Sequence, residues 1–323
     1  MTESFNTQIR FVQEHVNAYL QTLVPAEPRS LYDPVRYIIN GGGKRLRPAL
    51  TYFCSLSNEH SDWVSAACAV ELLHTFTLVH DDIMDNAFSR RGHATVHEQF
   101  DLNTAILSGD VLIALAETSL AAGKYSFHSK MMSEFADGFR YVCEGQALDK
   151  EFEMRTDITI DDYFWMIDLK SAKMIELAAV LGAFAAGLGN IESLRRFAHH
   201  LGLAFQLRDD LLDLTGSDDF GKTIGGDIIE GKRTFLFLKA LEAYPTLSLD
   251  KKKLLDRVST RNASPKDIPN IRLLFEELGV ITATTDMIEL HTANAADALA
   301  SVEHEAVRNA LLLFSNYLLH RNT

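Results

Sequence analysis

Apolar residues recur along most of this chain at intervals of three and four, the spacing that gathers them on one side of an α-helix, and strict alternation is scarce. The pattern predicts helices at residues 4–22, 31–40, 48–57, 61–87, 103–122, 126–150, 161–187, 191–215, 232–244, 250–259, 268–277, 280–300 and 303–319. Proline placement agrees. Pro25, Pro28, Pro34, Pro48, Pro245, Pro265 and Pro269 leave Ala49 through Tyr244 free of a residue that breaks helix interiors. No low-complexity segment or clear linker intervenes, so the expectation is all-α, one domain over residues 1–323.

Two of these apolar helices carry acid. In Val70 to Gly92, VELLHTFTLVHDDIMDNAFSRRG, the helical turn puts His74, Thr77, Asp81 and Asp85 in one stripe, with Asp82 beside it. Like charges four apart repel, and carboxylates enter a core only when paired. Asp81, Asp82 and Asp85 therefore need basic side chains or a hard divalent cation. A lone DDxxD reads best as an exposed helix end. The spacing recurs, however, in FQLRDDLLDL as Asp209, Asp210 and Asp213, and facing helices of a bundle can hold metals with such inward carboxylates.

Composition narrows the classes. The 44 acidic and 31 basic residues give a net charge of −13, against a nucleic-acid partner. Hydrophobic residues at 47% and charged residues at 23% are ordinary for a soluble globular protein. The polar start, MTESFNTQIR, lacks the order of a signal peptide, and the weakly polar run Met174 to Gly189 is too short for a membrane span. Cys54, Cys68 and Cys143 have no metal-ligand spacing and are expected to be reduced packing residues, which points to the cytoplasm.

Basic, glycine-rich stretches accompany the acid. GGGKRLRP, Gly41 to Pro48, offers a tight turn and three cations, chemistry suited to phosphate, although taken alone it reads as a solvated turn. It lacks the P-loop spacing. Arg90, Arg91 and Gly92 follow the first acid motif. Gly145-Gln146 with Asp149 is a weak signal, and Lys170-Ser171 sits in an apolar helix where an inward lysine needs an anion. GKTIGGDIIEGKRT, Gly221 to Thr234, reads as a polar loop and candidate lid charged by Lys222, Asp227 and Lys232. Lys232 is expected to open the next helix, against the dipole.

GGGKRLRP, HDDIMD with SRRG, FQLRDDLLD and GK–GGD–GKRT, in this order, resemble the trans-isoprenyl diphosphate synthases. The resemblance runs from about Arg36 to Thr234, and four ordered motifs are far more specific than any one. It implies a helical bundle around a central cavity and a homodimer without a transmembrane segment. The implied chemistry is Mg²⁺-dependent, head-to-tail condensation of isopentenyl diphosphate with an allylic diphosphate. By resemblance, Asp81, Asp82, Asp85, Asp209, Asp210 and Asp213 hold several Mg²⁺ ions around the allylic diphosphate, with Asp81, Asp85 and Asp209 as direct ligands. Arg90, Lys170 and Lys232 bind that diphosphate; Lys44, Arg47, His74 and Arg91 bind isopentenyl diphosphate; Ser171 and Gln206 line the site of the allylic cation. Ser171 stands where family members often have Thr, and keeps the hydroxyl.

Three rivals stand beside this reading. A terpene cyclase needs no second diphosphate site, a non-catalytic partner subunit should have decayed Asp motifs, and an acidic helical scaffold leaves the basic motifs unexplained. For product length, the family uses a large residue just upstream of the first acid motif. Phe76 lies five residues before Asp81, with the small Thr77 next to it. That resembles the geranylgeranyl pattern, with a farnesyl or longer polyprenyl diphosphate as the alternative. At about 100° per residue Phe76 falls off the Asp81 stripe, which favours plain core. Its depth, about 7.5 Å along the axis, suits the floor of a prenyl tail.

Overall fold

The predicted helices are present in a computed structural model that describes residues 2–216 and 224–320. Lys222 and the C-terminal Arg321 lie outside the described residues. Two compact units emerge, each assembled from separated stretches: Met1–Arg140, Met174–Arg196 and Ala298–Phe314 in the first, and Tyr141–Lys173, Phe197–Asp297 and Ser315–Thr323 in the second.

The first unit contains α1 (Thr2–Leu23), α2 (Arg29–Asn40), α3 (Leu46–Ser55) and α4 (Trp63–Met84). A hairpin of β1 (Ser89–Arg90) and β2 (His93–Ala94) follows, then α5 (Val96–Gln99), α6 (Leu102–Ala122) and the first half of α7 (His128–Phe152). Leu50, Phe53, Leu72, Leu112 and Phe314 are buried there, and the Phe53 ring lies between Phe5 and Phe314, 5.4 and 5.7 Å away. Gly109 lets α6 approach α4 closely. His80 of α4 occupies the space a Cβ on Gly109 of α6 would need, 2.1 Å from its Nε2. Both helices are long and apolar enough to cross a membrane, unlike the 174–189 run. In α4, 72% of the apolar window is buried as core, against 44% in α6, whose Leu102, Ile106 and Leu107 are exposed.

The second unit holds α8 (Ile160–Ile167), a π-helical turn at Asp168–Ala172 and most of α10 (Glu192–Thr215). α9 (Lys173–Ala185) returns the chain to the first unit. Beyond α10 come α11 (Gly226–Glu230), α12 (Phe235–Glu242), α13 (Leu249–Ser259), α14 (Ile268–Glu277) and α15 (Val280–Leu299), followed by α16 (Glu305–His320). Leu214, Ile228, Phe237, Leu255, Ile271 and Phe275 form its core.

Several expectations are corrected. The 161–187 helix is interrupted by the π turn. Thr234 caps α12 through the Phe237 N–H, so that helix begins at Phe235 and Lys232 does not open it. The 221–234 stretch is partly helical because Gly226–Glu230 forms α11. Cys54 and Cys68 are buried as expected, whereas Cys143 is exposed.

Candidate active site

The basic turn of the first unit sorts its cations by burial. Arg45, in left-handed backbone at φ 50°, is buried; its Nη1 meets Glu71 Oε1 at 2.5 Å, Nε donates to Asn17 and Nη2 to the Ile39 carbonyl. Arg45 thus locks the turn onto α1, α2 and α4. Lys44 is left exposed and Arg47 half-buried on the first turn of α3. Arg47 Nη1 lies 3.1 Å from His74 Nε2 on α4. Burial, and then the Arg47 charge, hold His74 well below the ordinary imidazole value.

Arg91 reaches the same turn from the hairpin. Arg91 and Gly92 both have positive φ, 53° and 78°, as a two-residue turn matching strand twist requires. The Arg91 guanidinium donates to the Gly42 carbonyl, and the Tyr37 hydroxyl ties the Ala94 carbonyl to α2 at 2.7 Å. Gly41, Gly42, Glu71, Thr75, Leu78 and Arg91 are among the residues lining a cavity of about 320 Å³. The hairpin also presents Arg90, whose Nε and Nη2 both lie 2.8 Å from Asp82 Oδ1, with Nε 3.0 Å from Oδ2. Asp82 is buried, which raises its pKa against the pull of Arg90. Asp81 is half-exposed and Asp85 exposed, one helical turn further.

The second unit repeats this division. Asp210 is buried; Oδ2 accepts from the Tyr163 hydroxyl at 2.7 Å and Oδ1 from Gln206 Nε2 at 2.8 Å. Burial and the nearby Asp227 charge push its pKa up. Asp209 and Asp213 are half-exposed, and Asp213 Oδ2 accepts the Asp227 backbone N–H at 3.1 Å. Ser171 Oγ lies 2.6 Å from Gln206 Oε1.

Lys170 has the anion it needs: its Nζ is 2.5 Å from Asp149 Oδ2. Burial acts against the Asp149 charge, but Lys170 outweighs it and holds that carboxyl below the usual range. Gly145 makes the approach possible, since a Cβ there would stand 2.4 Å from the Lys170 backbone nitrogen. Lys232 is placed by the end of α11. Gly231, at φ 72°, lets its own N–H bond to the Ile228 carbonyl and the Lys232 N–H to the Asp227 carbonyl. Lys232 Nζ then sits 2.9 Å from both Asp227 and Glu230, which raise its pKa although burial opposes them.

The first unit contains Lys44, Arg47, His74, Arg90 and Arg91 as well as Asp81, Asp82 and Asp85. Within the second, Lys170, Ser171, Gln206 and Lys232 join Asp209, Asp210 and Asp213. Phe76 is 8% exposed and packs edge-on against Phe139 of α7 at 5.3 Å and beside His80 at 4.5 Å; Thr77 donates to the His74 carbonyl. Sequence reasoning passed over Tyr163 and Glu71, which read as ordinary helix positions. The polar character of Glu71 inside an apolar helix was the one signal available.

A model of the polyprenyl synthetase family matches residues 28–273. The chain is similar to a geranylgeranyl pyrophosphate synthase of Geoglobus acetivorans, with 32% identity over 100% of this chain and 99% of the relative. It is 39% identical to a geranylfarnesyl diphosphate synthase of Natronomonas pharaonis over 71% of this chain and 74% of that one. A crystal structure of a geranylgeranyl pyrophosphate synthase superposes with a TM-score of 0.90 at 35% identity, covering 98% of this chain and 99% of the other.

Proposed function

The chain belongs to the polyprenyl synthetase family, and from that premise we propose that it condenses isopentenyl diphosphate with allylic diphosphates to make a short-chain trans-prenyl diphosphate of twenty carbons. It is a prenyltransferase. One arrangement carries the reading and occurs in both units. The middle carboxylate of each DDxxD is buried with both oxygens on protein donors, while the outer two reach solvent. Arg90 thus anchors Asp82, and Tyr163 with Gln206 anchors Asp210. The outer residues Asp81, Asp85, Asp209 and Asp213 are hard oxygen donors suited to Mg²⁺, which binds through few carboxylates plus substrate phosphates.

Bound Mg²⁺ supplies Lewis-acid stabilisation of the charge on the departing diphosphate. Arg90, Lys170 and Lys232 bind the allylic diphosphate and balance its charge as the carbon–oxygen bond breaks. Lys44, Arg47 and Arg91 bind isopentenyl diphosphate, and His74 positions Arg47. Ser171 and Gln206 face the allylic cation with oxygen, away from water that would quench it. The double bond of isopentenyl diphosphate attacks, a carbon–carbon bond forms, and one proton leaves, for which the released diphosphate is the acceptor.

A cytoplasmic homodimer belongs to the same proposal. The exposed apolar residues Phe100, Leu102, Ile106 and Leu107 support the dimer, since a patch of this kind suits an interface. The test is incubation with isopentenyl diphosphate, an allylic diphosphate and Mg²⁺, followed by chromatography of the dephosphorylated product. A twenty-carbon alcohol is expected. A cyclised hydrocarbon from the allylic substrate alone would make the protein a cyclase, and no turnover would sink the reading.

A further inference from the structure

Tyr163 stands outside the substrate-facing groups named above, yet it governs two of them. It is among the largest fully buried side chains, on α8. A buried phenol needs a hydrogen-bond partner, and a buried carboxylate needs donors. Tyr163 and Asp210 meet both needs in one bond of 2.7 Å. That bond occupies Oδ2 and leaves Oδ1 to Gln206.

The rest follows from donor and acceptor chemistry. Gln206 donates from Nε2 to Asp210 Oδ1, so its amide turns the NH₂ towards Asp210 and the Oε1 away. Ser171 Oγ stands 2.6 Å from that Oε1, and an oxygen without a proton can only accept. Ser171 therefore donates its hydroxyl hydrogen bond to Gln206 and presents lone pairs elsewhere. With the amide reversed, Gln206 would donate to Ser171, and the serine proton would point outward instead. The first arrangement offers electron density to a neighbouring cation; the second offers the positive end of an O–H dipole. The π turn at Asp168–Ala172 carries Ser171, and such bulges re-aim side chains at functional sites.

We infer that Tyr163 is a positioning residue for the condensation: by holding Asp210 it fixes the sense of the Gln206 amide, so that Ser171 presents lone pairs to the allylic cation. The inference rests on the proposed function, because it needs a cationic transition state. It adds a residue that touches no substrate and acts only through Asp210 and Gln206.

The test is steady-state kinetics of Tyr163→Phe, which keeps the ring and removes the donor. Loss of an interaction made only in the transition state lowers kcat and leaves KM alone. The expected result is a fall in kcat of about tenfold or more, with KM for each diphosphate within about twofold of wild type. In a Gln206→Ala background, where no amide remains to orient, Tyr163→Phe should change kcat by less than about twofold. A purely structural tyrosine would cost the same in both backgrounds. Unchanged kcat, a loss confined to KM, or equal losses in both backgrounds would each overturn the inference. Should Tyr163→Phe not fold, Asp210→Asn should lower kcat with Gln206 present and by less than about twofold in the Gln206→Ala background, and equal losses in both backgrounds would overturn the inference. Wild-type protein that fails to condense the two substrates defeats the proposed function itself; active wild type with an indifferent Tyr163→Phe defeats only the role of Tyr163.

Discussion

Arg47 donates to His74: Nη1 and Nε2 are 3.1 Å apart, and a guanidinium has no acceptor, so the imidazole must accept. His74 is therefore neutral and protonated on Nδ1. Its depressed pKa keeps it so, because a proton on Nε2 would face the Arg47 charge. His74→Leu removes the acceptor and should raise KM for isopentenyl diphosphate by about tenfold, while His74→Gln, which can still accept, should cost less. Since His74 protonates only well below an ordinary imidazole, that KM should stay flat as pH falls from 8 to about 6.5. Arg47→Ala should raise KM for isopentenyl diphosphate more than for the allylic substrate, and Lys232→Ala the reverse. Equal effects on both substrates from initial-rate measurements would dissolve the division of labour.

The two motifs make a second prediction through their unequal members. Asp81→Ala or Asp209→Ala should lower turnover by at least about 10²-fold, because each removes an oxygen ligand for the Mg²⁺ that would stabilise the leaving diphosphate, and should leave the unfolding temperature near wild type. Asp82→Ala should behave differently. It strips Arg90 of a buried partner, so calorimetry should show a clear fall in unfolding temperature along with lost activity. If Asp81→Ala retained near-normal rates at saturating Mg²⁺, the metal assignment would be wrong.

The contrast between Asp81 and Asp82 shows where sequence reading stopped. Periodicity located the helices closely, because burial of an apolar face is written at intervals of three and four. The 268–277 prediction matches α14 at both ends. Hydrogen-bond partners distant in sequence are not written that way. Nothing local marks Tyr163 as the partner of Asp210, forty-seven positions on, or distinguishes Arg45, locked to Glu71, from its neighbours Lys44 and Arg47. The Lys232 expectation failed for a related reason. Gly231 was visible, but it ends the five-residue α11, too short to leave a periodic signal, so Lys232 was assigned to the helix after it.

A third prediction concerns pH and stability. His200 and His291, on α10 and α15, place their Nδ1 atoms 3.2 Å apart. Burial, and then the charges of His200 and His199, lower the His291 pKa to about 4. Unfolded histidine titrates near about 6.5. Between those values the unfolded chain binds the extra proton, so stability must fall as pH drops from about 6.5 towards about 4 and flatten below. His291→Gln cannot titrate there. Its unfolding temperature should decline less steeply than wild type across that window and run parallel to it above pH 7. Identical slopes in differential scanning calorimetry would show that His291 carries none of the effect.

We propose that product length turns on Phe76. It is buried, as a core residue would be, lies about 7.5 Å along α4 from Asp81, and packs edge-on against Phe139, a ring from α7. Edge-to-face rings hold each other in place, so on this proposal the two rings act as one unit of the floor. Removing Phe76 should open space below the diphosphate and lengthen the product by at least one isoprene unit. Phe→Ala in a core costs about 3–5 kcal/mol, so the variant needs a check of folding. Phe139 is only partly buried, and Phe139→Ala should lengthen the product at less cost to stability. The measurement is chromatography of dephosphorylated products from wild type, Phe76→Ala and Phe139→Ala under identical substrate ratios. Longer products from both variants would assign the floor to the ring pair. Unchanged length in folded, active Phe76→Ala would return Phe76 to the core of the first unit, and length that shifts with Phe76 alone would remove Phe139 from the floor.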